Sequence, residues 1–334
     1  STGTGSNVPT NGTEVAILNL NGGTLKAGAT ASPWITTGRG TTNPVPQLIV
    51  KSGGAIVDSA GFNVSVLPAF VHDSSLGGTP DGGLTKNGSG TLTLSGANTY
   101  TGNTRITSGT LALSGSGSIA NSANIVVGAS ATLDVSAIGT LTLGAGQALS
   151  NITSTAIING SVDASSGALA LNYGSGTASF TLTSGNLTLG SGTPATVRNT
   201  GSALAAGTYT LISNGGGTVI GTAPSSVTVT GGGLAGGTIA SLQVSGGQLN
   251  LVVATGGSKP GLSSATFSGN TLTINATNGS PSAVWTLLSS TNIALPLASW
   301  QTVQTVTFDG TGHLSTNITV SPSSNPRMYY ILKQ

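Results

Sequence analysis

Seven carboxylates, two histidines and no cysteine are all the acid, base and thiol chemistry that 334 residues offer. The acids are Glu14, Asp58, Asp73, Asp81, Asp134, Asp163 and Asp309, and no two form an Asp-Asp or Asp-x-Asp pair. Breaking a polysaccharide linkage needs two or three carboxylates held together, or calcium on an acidic cluster beside a basic residue. One stretch can supply such a group. Asp58 and Asp81 stand 23 residues apart with His72 and Asp73 between them. The plainer reading makes these aspartates turn caps on a solvated loop. His72 and His313 are far apart in the chain, so no transition-metal set is expected. No Gly-x-Ser-x-Gly elbow accompanies either histidine, and glycine-rich words such as Gly215-Gly-Gly-Thr lack the lysine of a phosphate loop. The reading is of a non-enzyme with no catalytic, metal or cofactor site.

Nine basic residues leave a net charge of +2, and they are scattered singly along the chain. Phosphate backbones are gripped by clustered cations, so no nucleic-acid partner is expected. Charged residues are 5% of the chain, against about 25% in ordinary soluble proteins. No run of 18 apolar residues is present to span a membrane as a helix, and aromatics at 4% are too few for the girdles of a membrane barrel. A charge-poor chain rich in Ser, Thr, Asn and Gly reads as secreted, here after removal of a signal peptide. Trp34, on a proline-bearing segment from Ala29 to Gln47, is a weak ligand candidate that could stack on a sugar ring of a surface polysaccharide. Trp285 and Trp300 alternate with apolar residues and read as core.

The elements that would hold such residues are set by a repeated phrase. Gly90-Thr-Leu-Thr-Leu94 returns as Gly109-Thr-Leu-Ala-Leu113, Gly139-Thr-Leu-Thr-Leu143, Gly167-Ala-Leu-Ala-Leu171 and Gly185-Asn-Leu-Thr-Leu189. Alternation over four or five residues, bounded by Gly and Ser, predicts short half-buried strands. Leu92 to Leu111 is 19 residues and Leu111 to Leu133 is 22. Periods near 20 with one short dominant strand predict a solenoid, each repeat forming one coil. Inward leucines then stack into ladders, with Thr, Ser and Asn outside and glycine at corners. An antiparallel sandwich is the rival, but near-copied words suit a stack. The segments Ala29 to Gln47 and Pro68 to Gly83 break the rhythm and read as loops leaving the coil surface.

The block opening at Gly83, GLTKNGSGTLTLSGANTYTGNTRITSGTL, closely resembles the autotransporter-associated β-strand repeat, whose usual form is GLTKxGxGTLTLSGxNTYTGxTxVxxGTL. The resemblance implies an all-β, right-handed parallel β-helix of the passenger type on a secreted bacterial surface protein. It implies no catalytic residues, because the matched motif is structural. Looser echoes run from about residue 16 to 255.

The expected organisation is an N-terminal extension over 1–14, a β-solenoid over 15–255, a linker over 256–261 and a small antiparallel β-sandwich over 262–334. The last unit reads as a capping, sorting or assembly module. A solenoid without an N-terminal cap exposes strand edges that template another chain. Joined there by the C-terminal unit of another copy, chains would form a head-to-tail homopolymer. Candidate interface residues are Ser1, Val8, Val15, Ile17, Leu18 and Leu20 at one end. Met328, Tyr329, Tyr330, Ile331 and Leu332 are the candidates at the other. The reading is of a non-enzymatic protomer of an extracellular filament; the alternative is an adhesin or carbohydrate-binding surface protein, and a polysaccharide lyase or hydrolase is a minor one.

Overall fold

A computed structural model describes residues 16–36, 47–153, 155–174, 176–236, 238–255, 260–277, 279, 284–309, 312–320 and 329–333. The chain forms two compact units, Ser1–Leu234 with Ala240–Val253, and Ala235–Ile239 with Ala254–Gln334.

In the first unit, each opening coil lays down three short strands. They are β1 (Ile17–Leu20), β2 (Thr24–Lys26) and β3 (Ala31–Ile35), then β4 (Gln47–Val50), β5 (Ala55–Asp58) and β6 (Val64–Val66). The next coil has β7 (Phe70–His72), a 3-10 turn at Ser74–Leu76, β8 (Leu84–Asn87) and β9 (Thr91–Leu94). Two coils then carry two strands each: β10 (Thr104–Ile106) with β11 (Thr110–Ser114), and β12 (Asn124–Val127) with β13 (Thr132–Ala137). Three strands return with β14 (Thr140–Thr142), β15 (Ala148–Asn151) and β16 (Ala156–Asn159), followed by β17 (Ser161–Asp163), β18 (Ala168–Tyr173) and β19 (Phe180–Ser184). After them come β20 (Asn186–Leu189), β21 (Ala195–Asn199) and β22 (Gly207–Asn214), then β23 (Thr218–Gly221), β24 (Thr228–Gly231), β25 (Thr238–Ser245) and β26 (Gln248–Thr255).

Equivalent strands stack in parallel, so this unit is a β-solenoid and not the rival sandwich. The longest parallel face is a nine-stranded sheet, β2-β5-β8-β10-β12-β15-β18-β21-β24. A second face stacks β3, β6, β9, β11, β13, β16, β19 and β22, and there β26 pairs antiparallel with β22. The third face is in two pieces, β1-β4-β7 and β14-β17-β20-β23.

Registers follow the repeated words. Val64, Leu92, Leu111, Leu133, Ile158 and Leu182 lie opposite one another in successive coils, and all are buried. The intervening residues face out, among them Thr93, Ala112 and Asp134. Glycine opens the word for a steric reason. Gly109 has φ +66°, and a Cβ there would lie 2.4 Å from the Gly90 carbonyl oxygen of the coil before.

Two expectations need correction. Within the segments read as loops leaving the coil, Ala31–Ile35 and Phe70–His72 are strands in register with β6 and β4. Prolines and aromatics masked their short apolar alternation, and stacking on a neighbouring coil overrides local preference.

The second unit holds β27 (Gly261–Ser268), β28 (Thr271–Thr277), β29 (Val284–Ser290), β30 (Gln301–Thr307), β31 (Leu314–Thr319) and β32 (Tyr329–Lys333). They form two antiparallel sheets, β27-β28-β31 and β30-β29-β32. Ile274, Leu287 and Ile318 share one buried cluster, and Ala276, Val306, Phe308 and Leu314 another, so each cluster draws on both sheets. Trp285 meets Phe308 edge to face at 6.1 Å, as a core residue does. Trp300 instead closes the short turn Leu297–Ser299, and its indole N–H donates to the Leu295 carbonyl at 3.0 Å.

Candidate functional site

The first coil ends every sheet it enters. β1, β2 and β3 are each the last strand on their side, with β4, β5 and β6 as partners. Their outer backbone edges therefore have no strand partner among the described residues. Leu20 of β1 is buried, whereas Ile17 is 56% and Leu18 38% exposed. An apolar parallel edge of this kind is a template for a further strand. Of the other candidates, Tyr330 and Leu332 lie on β32, an edge strand of its sheet, and line an apolar cleft of about 620 Å³ with Leu262, Ile274 and Trp285. Tyr329 and Ile331 share that strand, with backbone register opposite Ser290 and Leu288. Ser1, Val8, Val15 and Met328 lie outside the described residues.

Lys51, His72, Asp73 and Asp81 meet at the turn after β7. Stacking places His72 opposite Val50, which brings Asp73 beside Lys51. The Lys51 ammonium donates to Asp73 Oδ2 at 2.9 Å, and Ser75 adds its hydroxyl at 2.7 Å and its N–H at 3.1 Å. That set, led by Lys51, holds Asp73 at about 2, below the usual carboxylate value. His72 Nδ1 sits 2.8 Å from Asp81 Oδ2, and Nε2 lies 3.2 Å from the Gly77 carbonyl oxygen. The hydrogen bond to Asp81 raises the pKa of His72 despite partial burial. Burial opposes ionisation of Asp81, yet N–H donors from Thr101, Gly102 and Gly83, with His72, lower its pKa.

This arrangement is a clasp. It ties the turn after β7 to the coil below through Lys51 and to the coil above through Thr101 and Gly102. Asp58 stands apart from it, 3.8 Å from Lys26 and accepting the Ala60 N–H at 2.8 Å. The pairing of Asp58 with Asp81 considered from sequence is thus replaced by His72 with Asp81. Both histidine nitrogens and both Asp81 oxygens are engaged within the fold. Asp58, Asp73, Asp134 and Asp163 all accept the N–H two residues on, the habit of turn-capping aspartates. Among the described residues, no group of three or more His, Asp or Glu is placed to hold a metal ion.

Lys86 is the residue that sequence reading passed over. It occupies an inward rung of the nine-stranded sheet between Val57 and Ile106, and it is fully buried. Its ammonium donates to Ser59 Oγ at 3.0 Å and to the carbonyl oxygens of Asn87, Gly88 and Ser108 at 3.0, 2.8 and 3.1 Å. Burial pushes its pKa down to about 8, with Asp58 opposing. Nearby, the Tyr100 hydroxyl lies 2.6 Å from Thr104 Oγ1, which donates to Ser122 Oγ at 3.0 Å. Asn98 joins three coils as well, accepting the Phe70 N–H at 2.9 Å and donating to the Ser118 carbonyl at 3.0 Å. The Thr-Lys and Asn-Thr-Tyr words of the repeat carry these ties.

Trp34 lies within β3, half-buried against the solenoid core, and is not on a loop free of the coil. No helix among the described residues is long and apolar enough to cross a membrane. The family model for the passenger-associated-transport-repeat matches residues 84–113, which span β8 to the body of β11. Over those residues the chain is similar to the repeat of passenger-type β-helices. No curated protein and no solved structure matches the chain.

Proposed function

We propose that this chain is a non-enzymatic structural protein of the bacterial cell surface, and that copies join head to tail by strand addition at the first coil. The observation that carries the reading is the parallel edge of β1, β2 and β3, which has no strand partner among the described residues and on which Ile17 and Leu18 are exposed. Main-chain groups along such an edge bind another strand wherever its side chains fit alternate positions. A contact between unlike surfaces of two copies propagates into a filament unless its rotation closes a ring. The edge strand β32, with Tyr330 and Leu332, is the counterpart surface in this reading.

The non-enzymatic part rests on the clasp. His72, Asp73 and Asp81 are engaged in holding a turn, which leaves these three poorly suited to act as a free base or as a catalytic carboxylate pair.

The test is negative-stain electron microscopy of three samples: the intact chain, a copy lacking residues 1–13, and Ile17→Lys/Leu18→Lys. Both lysines fall on exposed positions and add charge to the edge, a device that blocks strand addition. Fibres are expected from the intact chain and not from the double lysine variant. Isolated rods in all samples would sink the filament reading and leave a surface adhesin in its place.

A further inference from the structure

Two of the chain's four arginines project from one face of the solenoid. Arg105, on β10, belongs to an outward row that runs on through Val126, Ser150 and Ala170 to Thr196. Arg198 lies two residues beyond Thr196 on the same side of β21, because side chains alternate with period two. Four strand steps of about 4.8 Å and that offset set the two Cα atoms about 20 Å apart. Both side chains border a single trough of about 550 Å³, together with Ser150, Asn172 and Thr196.

Charge in this trough is one-sided. Both arginines are exposed, and neither makes an ion pair or hydrogen bond with the described residues. The strands between them, β12, β15 and β18, contain no acid. Two lysines of the same unit are instead paired, Lys26 with Asp58 and Lys51 with Asp73. Two unneutralised guanidiniums flank a strip where Val126, Ile152 and Ala170 lie among the polar side chains of Ser150, Asn172 and Thr196, a surface suited to a long, sparsely charged anion with apolar ring faces.

We propose that this trough binds a linear acidic polysaccharide laid along the stack, with carboxylates at its Arg105 and Arg198 ends and sugar hydroxyls against Ser150, Asn172 and Thr196. The strand step gives a regular polymer a regular set of partners, and arginine forks match carboxylates in two-point fashion. A nucleic acid fits less well. A single strand carries a charge about every 3.4 Å, far denser than two cations in about 20 Å, and the trough offers no aromatic ring for a base to stack on. The site lies on the side of the stack, so it does not depend on the head-to-tail joint.

The experiment measures binding of hyaluronan, which carries a carboxylate on every second sugar, neutral dextran and oligo-dT to the intact chain at about 20 mM and about 300 mM salt, where screening differs several-fold. Hyaluronan is expected to bind and to weaken with salt, with dextran and oligo-dT well behind. Arg105→Gln/Arg198→Gln should weaken it at least about tenfold, the loss of two charge-assisted contacts. Lys26→Gln/Lys333→Gln, which removes the same charge outside the trough's lining, should bind as the parent does. Far-ultraviolet circular dichroism checks that each variant keeps its strands. No binding by the parent, equal loss in the two doubles, or preference for oligo-dT would each overturn the proposal. Fibre formation unchanged in Arg105→Gln/Arg198→Gln keeps the outcome separate from the assembly reading.

Discussion

The Lys86 ammonium donates to the Ser108 carbonyl oxygen at 3.1 Å, so the lysine of one coil closes the turn that begins the strand word of the next. The same group reaches back to Ser59 in the coil before. A residue that looks like one more scattered surface cation is therefore a bolt through three coils. Burying an ammonium costs several kcal/mol unless donors and acceptors are matched, and here four oxygens receive it.

Replacing this lysine with a residue of similar length and no donor tests the bolt. Lys86→Met should lower stability by about 2–3 kcal/mol, because the Gly88 and Ser108 carbonyl oxygens lose a charged donor inside the fold. Thr85→Met, one residue away on the outward side, should change it by about 0.5 kcal/mol or less. The pH dependence has a definite sign. The folded value of about 8 lies below that of an exposed lysine, so between them the unfolded chain holds the extra proton. The Lys86 contribution to stability therefore rises as pH climbs from about 8 towards the exposed value. Denaturant melts of parent and Lys86→Met across that window should diverge in the parent's favour, and parallel curves would disprove the assignment.

The clasp titrates in the opposite sense at two ends of the scale. His72 is held above its ordinary value by Asp81, so its contribution is complete below about 6.5 and is lost as pH rises through the folded value. Asp73, at about 2, contributes fully above its ordinary range and loses that contribution as pH falls towards 2. Side-chain NMR titration should show His72 return towards its ordinary value in Asp81→Asn. Asp73 should rise in Lys51→Met. A His72 titration unmoved by Asp81→Asn would dissolve the pair.

Corner glycines give a test of stacking against mere backbone preference. Gly109 and Gly139 both have positive φ, +66° and +77°, but a Cβ at Gly109 would strike the coil before while one at Gly139 meets nothing within 4 Å. Gly139→Ala should cost about 1–2 kcal/mol, the left-handed strain alone. Gly109→Ala should cost about 3 kcal/mol or more, adding a steric clash with a backbone that cannot yield. Equal thermal shifts in the two variants would mean that the coils are not packed this closely.

How much of this was open to sequence reading depends on the range of the interaction. Leucine ladders were legible from Leu92, Leu111 and Leu133, because a period near 20 is a long-range contact written locally. The clasp was half legible. Lys51 and Asp73 are 22 residues apart, as are Lys86 and Ser108, close to the coil period, yet charge alone does not say which way a side chain points. Lys86 escaped notice because an inward lysine breaks the alternation rule that reveals everything around it. β3 and β7 escaped because three- to five-residue strands draw their stability from the coil they lie on. Trp300 was misplaced because a turn residue beside a strand shares the strand's alternation.

In-register parallel stacking also constrains how such a chain can lengthen. Each position lies about 4.8 Å from its counterpart, where two like charges would repel by about 1 kcal/mol in water and about 3–4 kcal/mol nearer the protein. The exposed charges obey this. Asp134 has Ala112 and Asn159 as rungs, Asp163 has Thr142 and Thr188, and Arg198 has Asn172 and Thr230. Asp58 has Lys26 on one side and Asn87 on the other. A gene segment encoding a charged coil would, on tandem duplication, set its charges against their own copies. One encoding Gly-Thr-Leu-Thr-Leu can be copied again and again at no electrostatic cost, so a scarcity of charge is the condition for growth by duplication.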